Sequence, residues 1–218
     1  MNYLYMLPAA FFAPIIHEWV KARVSYALGD STPADKGFMT LNPMKFFEPI
    51  GFIFMMIYQI GWAQPVPTSA YGYRDKRKGI ILTYTLPIIV NLLLGILALS
   101  LMRIIPNASI AFRHSVGFFI FMEGSTAALL TAPIGMHLGW LLFHFARINI
   151  SLAIVNTIIP VYPFAANRLL QLFVSPDVAA RMNHYEKPMQ IIMMLLLILQ
   201  ILPPFVFAIQ MTIINLVA

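Results

Sequence analysis

The chain has 218 residues, 60% of them hydrophobic and 10% charged, with a net charge of +6 and no cysteine. A soluble domain carries about 25% charged residues, so much of this surface faces lipid, where backbone groups must be satisfied within helices; the long apolar runs lack the alternation of a membrane barrel, and the fold class is all-α. The absence of cysteine excludes disulfides, thiolate metal sites and a cysteine nucleophile while leaving the compartment open, and the positive charge, without a basic stripe interleaved with aromatics, marks cytoplasmic loops of a membrane protein and not a nucleic-acid surface.

Residues 4–28 read as a first membrane helix. No basic residue precedes its apolar run, and the run passes directly into His17, Glu18, Lys21 and Arg23, which argues against a cleaved signal peptide. Residues 29–78 are polar and proline-rich apart from the apolar stretch 50–63, which is short of the ~20 residues a crossing needs. Basic residues flank that stretch on both sides, Lys36 and Lys45 before it and Arg74, Lys76, Arg77 and Lys78 after it. A re-entrant or interfacial segment follows, with both flanks cytoplasmic and the N-terminus outside. Residues 79–105 are a clear span. Residues 115–163 are roughly twice one span in length, and Pro133, Gly135 and Gly139 offer a turn, so two helices are expected, the second ending near Ile159. The final apolar run, 188–218, should kink at Pro203-Pro204. The whole is a single membrane-embedded domain, 1–218, a polytopic transmembrane helical bundle of about five to six membrane segments including the short one.

Ionisable groups inside apolar helices are costly and are the first functional candidates. The sharpest is Ile16-His17-Glu18-Trp19-Val20-Lys21. In a His-Glu-x-x-His zinc motif the imidazoles at i and i+4 share one helical face and hold the metal, while the Glu activates its water. Here the i+4 residue is Lys21, whose ammonium has no lone pair to offer. Lys21 instead places a covalently attached positive charge on the face of Glu18, a charge compensation for that carboxylate. His137 and His144, seven residues apart on one helical face, are alternative ligands alongside His17, against the plainer reading as core or headgroup-level histidines. Glu123 is a further costly charge, read as pairing with Arg147 or lying near the interface. The cluster from Arg74 to Lys78 sets topology and touches anionic lipid, and Met189, Met193 and Met194 are adaptable packing.

Downstream of His17-Glu18 come Leu28-Gly29-Asp30, Thr40-Leu41-Asn42-Pro43, Glu48-Pro49-Ile50-Gly51 and Gly61-Trp62-Ala63-Gln64-Pro65-Val66-Pro67, then a basic cluster and Lys78-Gly79. This ordered series resembles the compact bacterial branch of the site-2 family of intramembrane zinc proteases. The likeness continues to Asn91, although the small pair before the family's asparagine is here Pro87-Ile88, and to Pro160, Pro163 and Arg168 in the segment that holds the family's third ligand. In that segment the ligand aspartate is Ala165 and the glycine after it is Ala166.

The resemblance covers most of the chain, from His17 to about residue 170, and implies a scaffold that is kept and a zinc site that is lost. Of the family's three metal ligands only His17 remains, beside Glu18 at the general-base position; Lys21 and Ala165 occupy the other two. The expectation is a degenerate, non-catalytic member, a pseudoprotease of the bacterial cell membrane without a zinc cofactor. Such a protein would bind or regulate the transmembrane segment of a partner through a groove built from Asn42, Pro43, Trp62, Pro65, Pro67 and Asn91. The family cleaves membrane-anchored regulators in regulated intramembrane proteolysis. The alternative is therefore an active zinc-dependent intramembrane endopeptidase with a non-standard ligand set.

Overall fold

The computed structural model describes residues 2–108 and 132–217, and all regular structure among them is helical. Glu123 lies outside the described residues, as does most of the helix expected to begin near residue 115.

Three long helices form the centre: α1 (Asn2–Ala27), and, after the short helices α2 (Thr32–Asp35) and α3 (Pro49–Tyr58), α4 (Lys76–Ile104) and α5 (Ile134–Ile158). Each packs against the other two. Helix α5 is enclosed, with every residue from Ala146 to Asn156 buried. A helix apolar on all sides has no solvent face to turn outward, which makes it the hub. Helix α4 is two-faced: Ile89, Leu93, Leu97 and Leu101 are exposed at every fourth position, while Asn91, Gly95, Ala98 and Met102 are buried. Gly95 is what permits close approach to α5, since a Cβ there would stand 2.7 Å from Ile150 Cγ1.

The apolar stretch 50–63 folds as a helix followed by extended chain. Glu48 caps α3 by accepting from the amides of Ile50 and Gly51, and Gln59, at φ 56°, ends it in the left-handed conformation. The ten residues of α3 reach about 15 Å, half of the ~30 Å hydrocarbon core. The returning chain lies backbone to backbone on the helix. A Cβ on Gly51 would meet the Trp62 carbonyl at 2.1 Å, and one on Gly61 would meet the Gly51 carbonyl at 2.2 Å. Only paired glycines allow that contact.

The remaining helices are α6 (Ala165–Leu170), α7 (Pro176–His184), α8 (Glu186–Ile198) and α9 (Leu202–Val217). Helices α8 and α9 are bent by 75°. The break falls at 199–201, just ahead of Pro203 and Pro204, which sit in the first turn of α9. Proline is tolerated there because those amides have no intrahelical partner. Among the described residues, α4 and α5 are long and apolar enough to cross a membrane, and the bent pair α8–α9 brings the number to three. The larger number read from the sequence also includes α1, the short α3 and the helix expected near residue 115.

Candidate functional site

The second half of α1 carries a buried polar face: His17, Glu18, Lys21 and Ser25 are all 6% exposed or less. Spacing of three and four residues puts the first three on one side of the helix, turned toward α4 and the extended chain after α3.

Both carboxylate oxygens of Glu18 are engaged. The Lys21 ammonium stands 2.6 Å from its Oε2 and 2.8 Å from its Oε1. The Val66 amide donates to Oε2 at 2.6 Å. The centre of the Tyr84 ring lies 5.4 Å from Lys21 Nζ, a cation–π contact. The carboxylate therefore joins α1 to the extended chain, and the buried Lys21 supplies its counter-charge.

His17 belongs to a second network whose tautomer follows from its far end. The side-chain amide of Asn149 donates to the Phe145 carbonyl at 2.8 Å, as a residue i−4 acceptor in α5 allows. Its Oδ1 is thereby the acceptor for Asn91 Nδ2 at 2.8 Å, which turns Asn91 Oδ1 toward His17 Nδ1 at 2.6 Å. An amide oxygen only accepts, so Nδ1 of His17 carries a proton, and in the neutral ring Nε2 is then the nitrogen with the lone pair. His17 and Glu18 line a small cavity with Pro14, Trp62, Asn156 and Phe164.

Ala165 opens α6 beside this region. Its amide donates to Asn156 Oδ1 at 3.0 Å, while Asn156 Nδ2 donates to the Leu152 carbonyl at 2.9 Å. Its methyl group contributes no donor atom. Among the described residues, no three His, Cys, Asp or Glu side chains gather closely enough to hold a metal ion. His137 bonds through Nδ1 to the Tyr5 hydroxyl at 2.5 Å and packs edge-on against Trp140. His144 is buried beside Phe143, its Nδ1 without a hydrogen-bond partner among the described residues.

The groove residues divide. Trp62 is buried with its ring 5.8 Å from Phe54 and 6.5 Å from Phe164, and Asn91 is buried under His17. Pro65 and Pro67 flank Val66 in the extended chain and are half-buried. Asn42 and Pro43 are set apart, Asn42 exposed and capping a 3-10 turn (Pro43–Lys45) by accepting from the Met44 amide at 3.0 Å. The turn nevertheless leads to Phe46, whose carbonyl receives the Gln64 amide at 2.7 Å. Asn149, Asn156 and the Val66 amide were not singled out from the sequence. The two asparagines lie seven residues apart in an otherwise apolar helix, a spacing that places both on one face.

A second carboxylate holds the other end of the same chain. Asp30, 1% exposed, accepts from the Ser25 hydroxyl at 2.8 Å, the Thr32 amide at 3.0 Å, the Thr32 hydroxyl at 2.5 Å and the Ser69 amide at 2.8 Å. Burial pushes its pKa up, but the hydrogen bonds from Thr32, Ser69 and Ser25 outweigh that and hold it below the usual aspartate value.

Among curated proteins, the chain is similar to one from Bacillus subtilis (strain 168) named "Putative zinc metalloprotease YwhC". The two are 27% identical over 171 residues, which are 78% of this chain and 69% of that protein. No family model matches the chain. No solved structure matches it. A catalytic zinc site takes three protein ligands and leaves a fourth position for water. One imidazole, a carboxylate already closed by an ammonium, and a methyl group do not make such a donor set.

Proposed function

We propose that this protein is a catalytically degenerate relative of the site-2 proteases, a pseudoprotease of the bacterial cell membrane that binds or regulates a membrane protein partner without cutting it. The observation that carries this reading is the Lys21 ammonium at hydrogen-bond distance from both oxygens of Glu18. A lysine there supplies no ligand, repels a dication and occupies the carboxylate that a water-activating base would need free. In this reading the whole chain is one membrane-embedded domain, with α1 and α3 adding to the crossing or dipping segments.

Recognition and chemistry are separable. An extended chain beside a helix can receive a partner's segment by backbone pairing and side-chain pockets with no nucleophile present. The chain around Trp62, Pro65 and Pro67, with the Asn42–Pro43 turn behind it, is the proposed groove. The second reading, an active zinc endopeptidase with another ligand set, is favoured by the name of the Bacillus relative.

Zinc content separates the two. Elemental mass spectrometry of the purified protein, exchanged into metal-free buffer, is expected to find none, and Lys21→His with Ala165→Asp is expected to gain it. About one zinc per chain in the unaltered protein, lost on His17→Ala, would overturn the pseudoprotease reading in favour of the enzyme.

A further inference from the structure

Away from Glu18, the structure holds a cavity of about 520 Å³ between the start of α4, the loop before it, and α6–α7. Lys76 and Arg168 line it, with Tyr71, Tyr73, Tyr84 and Asn183; among the described residues no carboxylate does. Lys76 Nζ lies over the Tyr71 ring at 5.4 Å. Arg168 is aimed by its neighbours, donating to Asn183 Oδ1 at 2.6 Å and Gln171 Oε1 at 3.3 Å and pairing with Glu186 at 2.9 Å. The Tyr73 and Tyr84 hydroxyls are engaged with Ser25 and Thr68, so it is the two cations, Lys76 and Arg168, that suit the lining to an anionic group with several acceptor oxygens.

The position of the cavity selects the source of that anion. Lys76 is the first residue of one candidate span, and Glu186, the partner of Arg168, is the first residue of the bent candidate span α8–α9. The cavity is therefore level with the ends of two crossing elements, where headgroups lie. Its surroundings match that depth. Tyr71 is 92% exposed and Phe173 74%, as interfacial aromatics are, and α7 runs over the surface with no buried residue. Arg74, Arg77 and Lys78 add three cations on the exposed start of α4 and its approach, a basic run next to a span of the kind that draws anionic lipid.

We infer that this cavity is a specific binding site for the phosphate headgroup of an anionic phospholipid, held between Lys76 and Arg168. The site is independent of whether the protein cleaves anything. The full chain, purified in detergent from nanodiscs of phosphatidylcholine containing phosphatidylglycerol, is expected to retain one phosphatidylglycerol by native mass spectrometry. Lys76→Gln should weaken retention about fivefold, the effect of one cation near a charged headgroup. Because Arg168→Gln alone would strand Glu186, the second variant is Arg168→Gln with Glu186→Gln, for which a similar loss is expected in a protein of unchanged melting temperature. Lys36→Gln, an exposed cation outside both the cavity and the basic run 74–78, should change retention little. Equal retention of phosphatidylcholine, no retained lipid, or an equal loss in Lys36→Gln would overturn the site. Binding of inorganic phosphate with the same dependence on Lys76, and no lipid, would overturn the lipid assignment in favour of a soluble phosphate.

Discussion

Two buried carboxylates tie α1 and the turn that follows it to the same extended chain, and they are stabilised by different means. Glu18, inside the apolar length of α1, accepts the Val66 amide and has an ammonium 2.6 Å away. Asp30, past the end of that helix, accepts the Ser69 amide and, among the described residues, has no cation in salt-bridge contact, only hydroxyl and amide dipoles from Ser25 and Thr32. The two differ in what surrounds them: oriented dipoles hold the charge of Asp30, whereas Glu18 lies within an apolar helix, where an uncompensated carboxylate carries most of its desolvation cost and a counter-charge relieves it. Lys21 is thus a structural element of α1 whatever the protein's activity.

The sharpest way to break the comparison is Lys21→Ala. Removing one partner of a buried pair costs about 3–5 kcal/mol, so thermal melting in detergent should fall far more than for His17→Ala, and Glu18→Gln with Lys21→Met should recover most of the loss. Equal melting of the Lys21→Ala and His17→Ala variants would remove the counter-charge account. Asp30→Asn tests the dipole-held carboxylate. Losing the charge from its hydrogen bonds should cost about 1.5–3 kcal/mol at neutral pH. The folded carboxyl is held below its ordinary value, so its contribution is complete above about pH 4 and is lost as the pH falls through the folded value. Wild type and Asp30→Asn should therefore converge in stability only on acidification below that point; a constant gap down to lower pH would place the effect elsewhere. The smallest effect belongs to a pair outside this comparison. Arg168 and Glu186 have side chains 34% and 20% exposed, so solvent screens them and replacing both with Gln should change stability by about 0–1 kcal/mol. A loss like that of Lys21→Ala would show that burial is not what separates the two pairs.

Much of the helical order was legible in the residues. The apolar lengths of α4 and α5 state their own hydropathy, and the helical period of α1 sets Glu18 and Lys21 on one face before any coordinates exist. The short stretch 50–63 announced by its length that it could not cross alone. The position of the bend in the last segment was less legible, because proline marks a boundary without saying on which side of it the helix breaks. Asn149 and Asn156 escaped notice because a buried asparagine and an exposed one look alike in a sequence; only the helix packed around them distinguishes the two.

Composition, apolar run length and helical period are local properties, and they alone determined the all-helical class, the candidate spans and the Lys21–Glu18 juxtaposition, since each depends on neighbours within a few residues. The tertiary structure decided what those residues meet: the Val66 amide on Glu18, the Asn91–Asn149 chain that sets the His17 tautomer, and the Lys76–Arg168 cavity. These contacts join positions tens of residues apart, and their geometry is set by how closely helices approach, as at Gly95, and by where a chain turns back, as at Gly51 and Gly61.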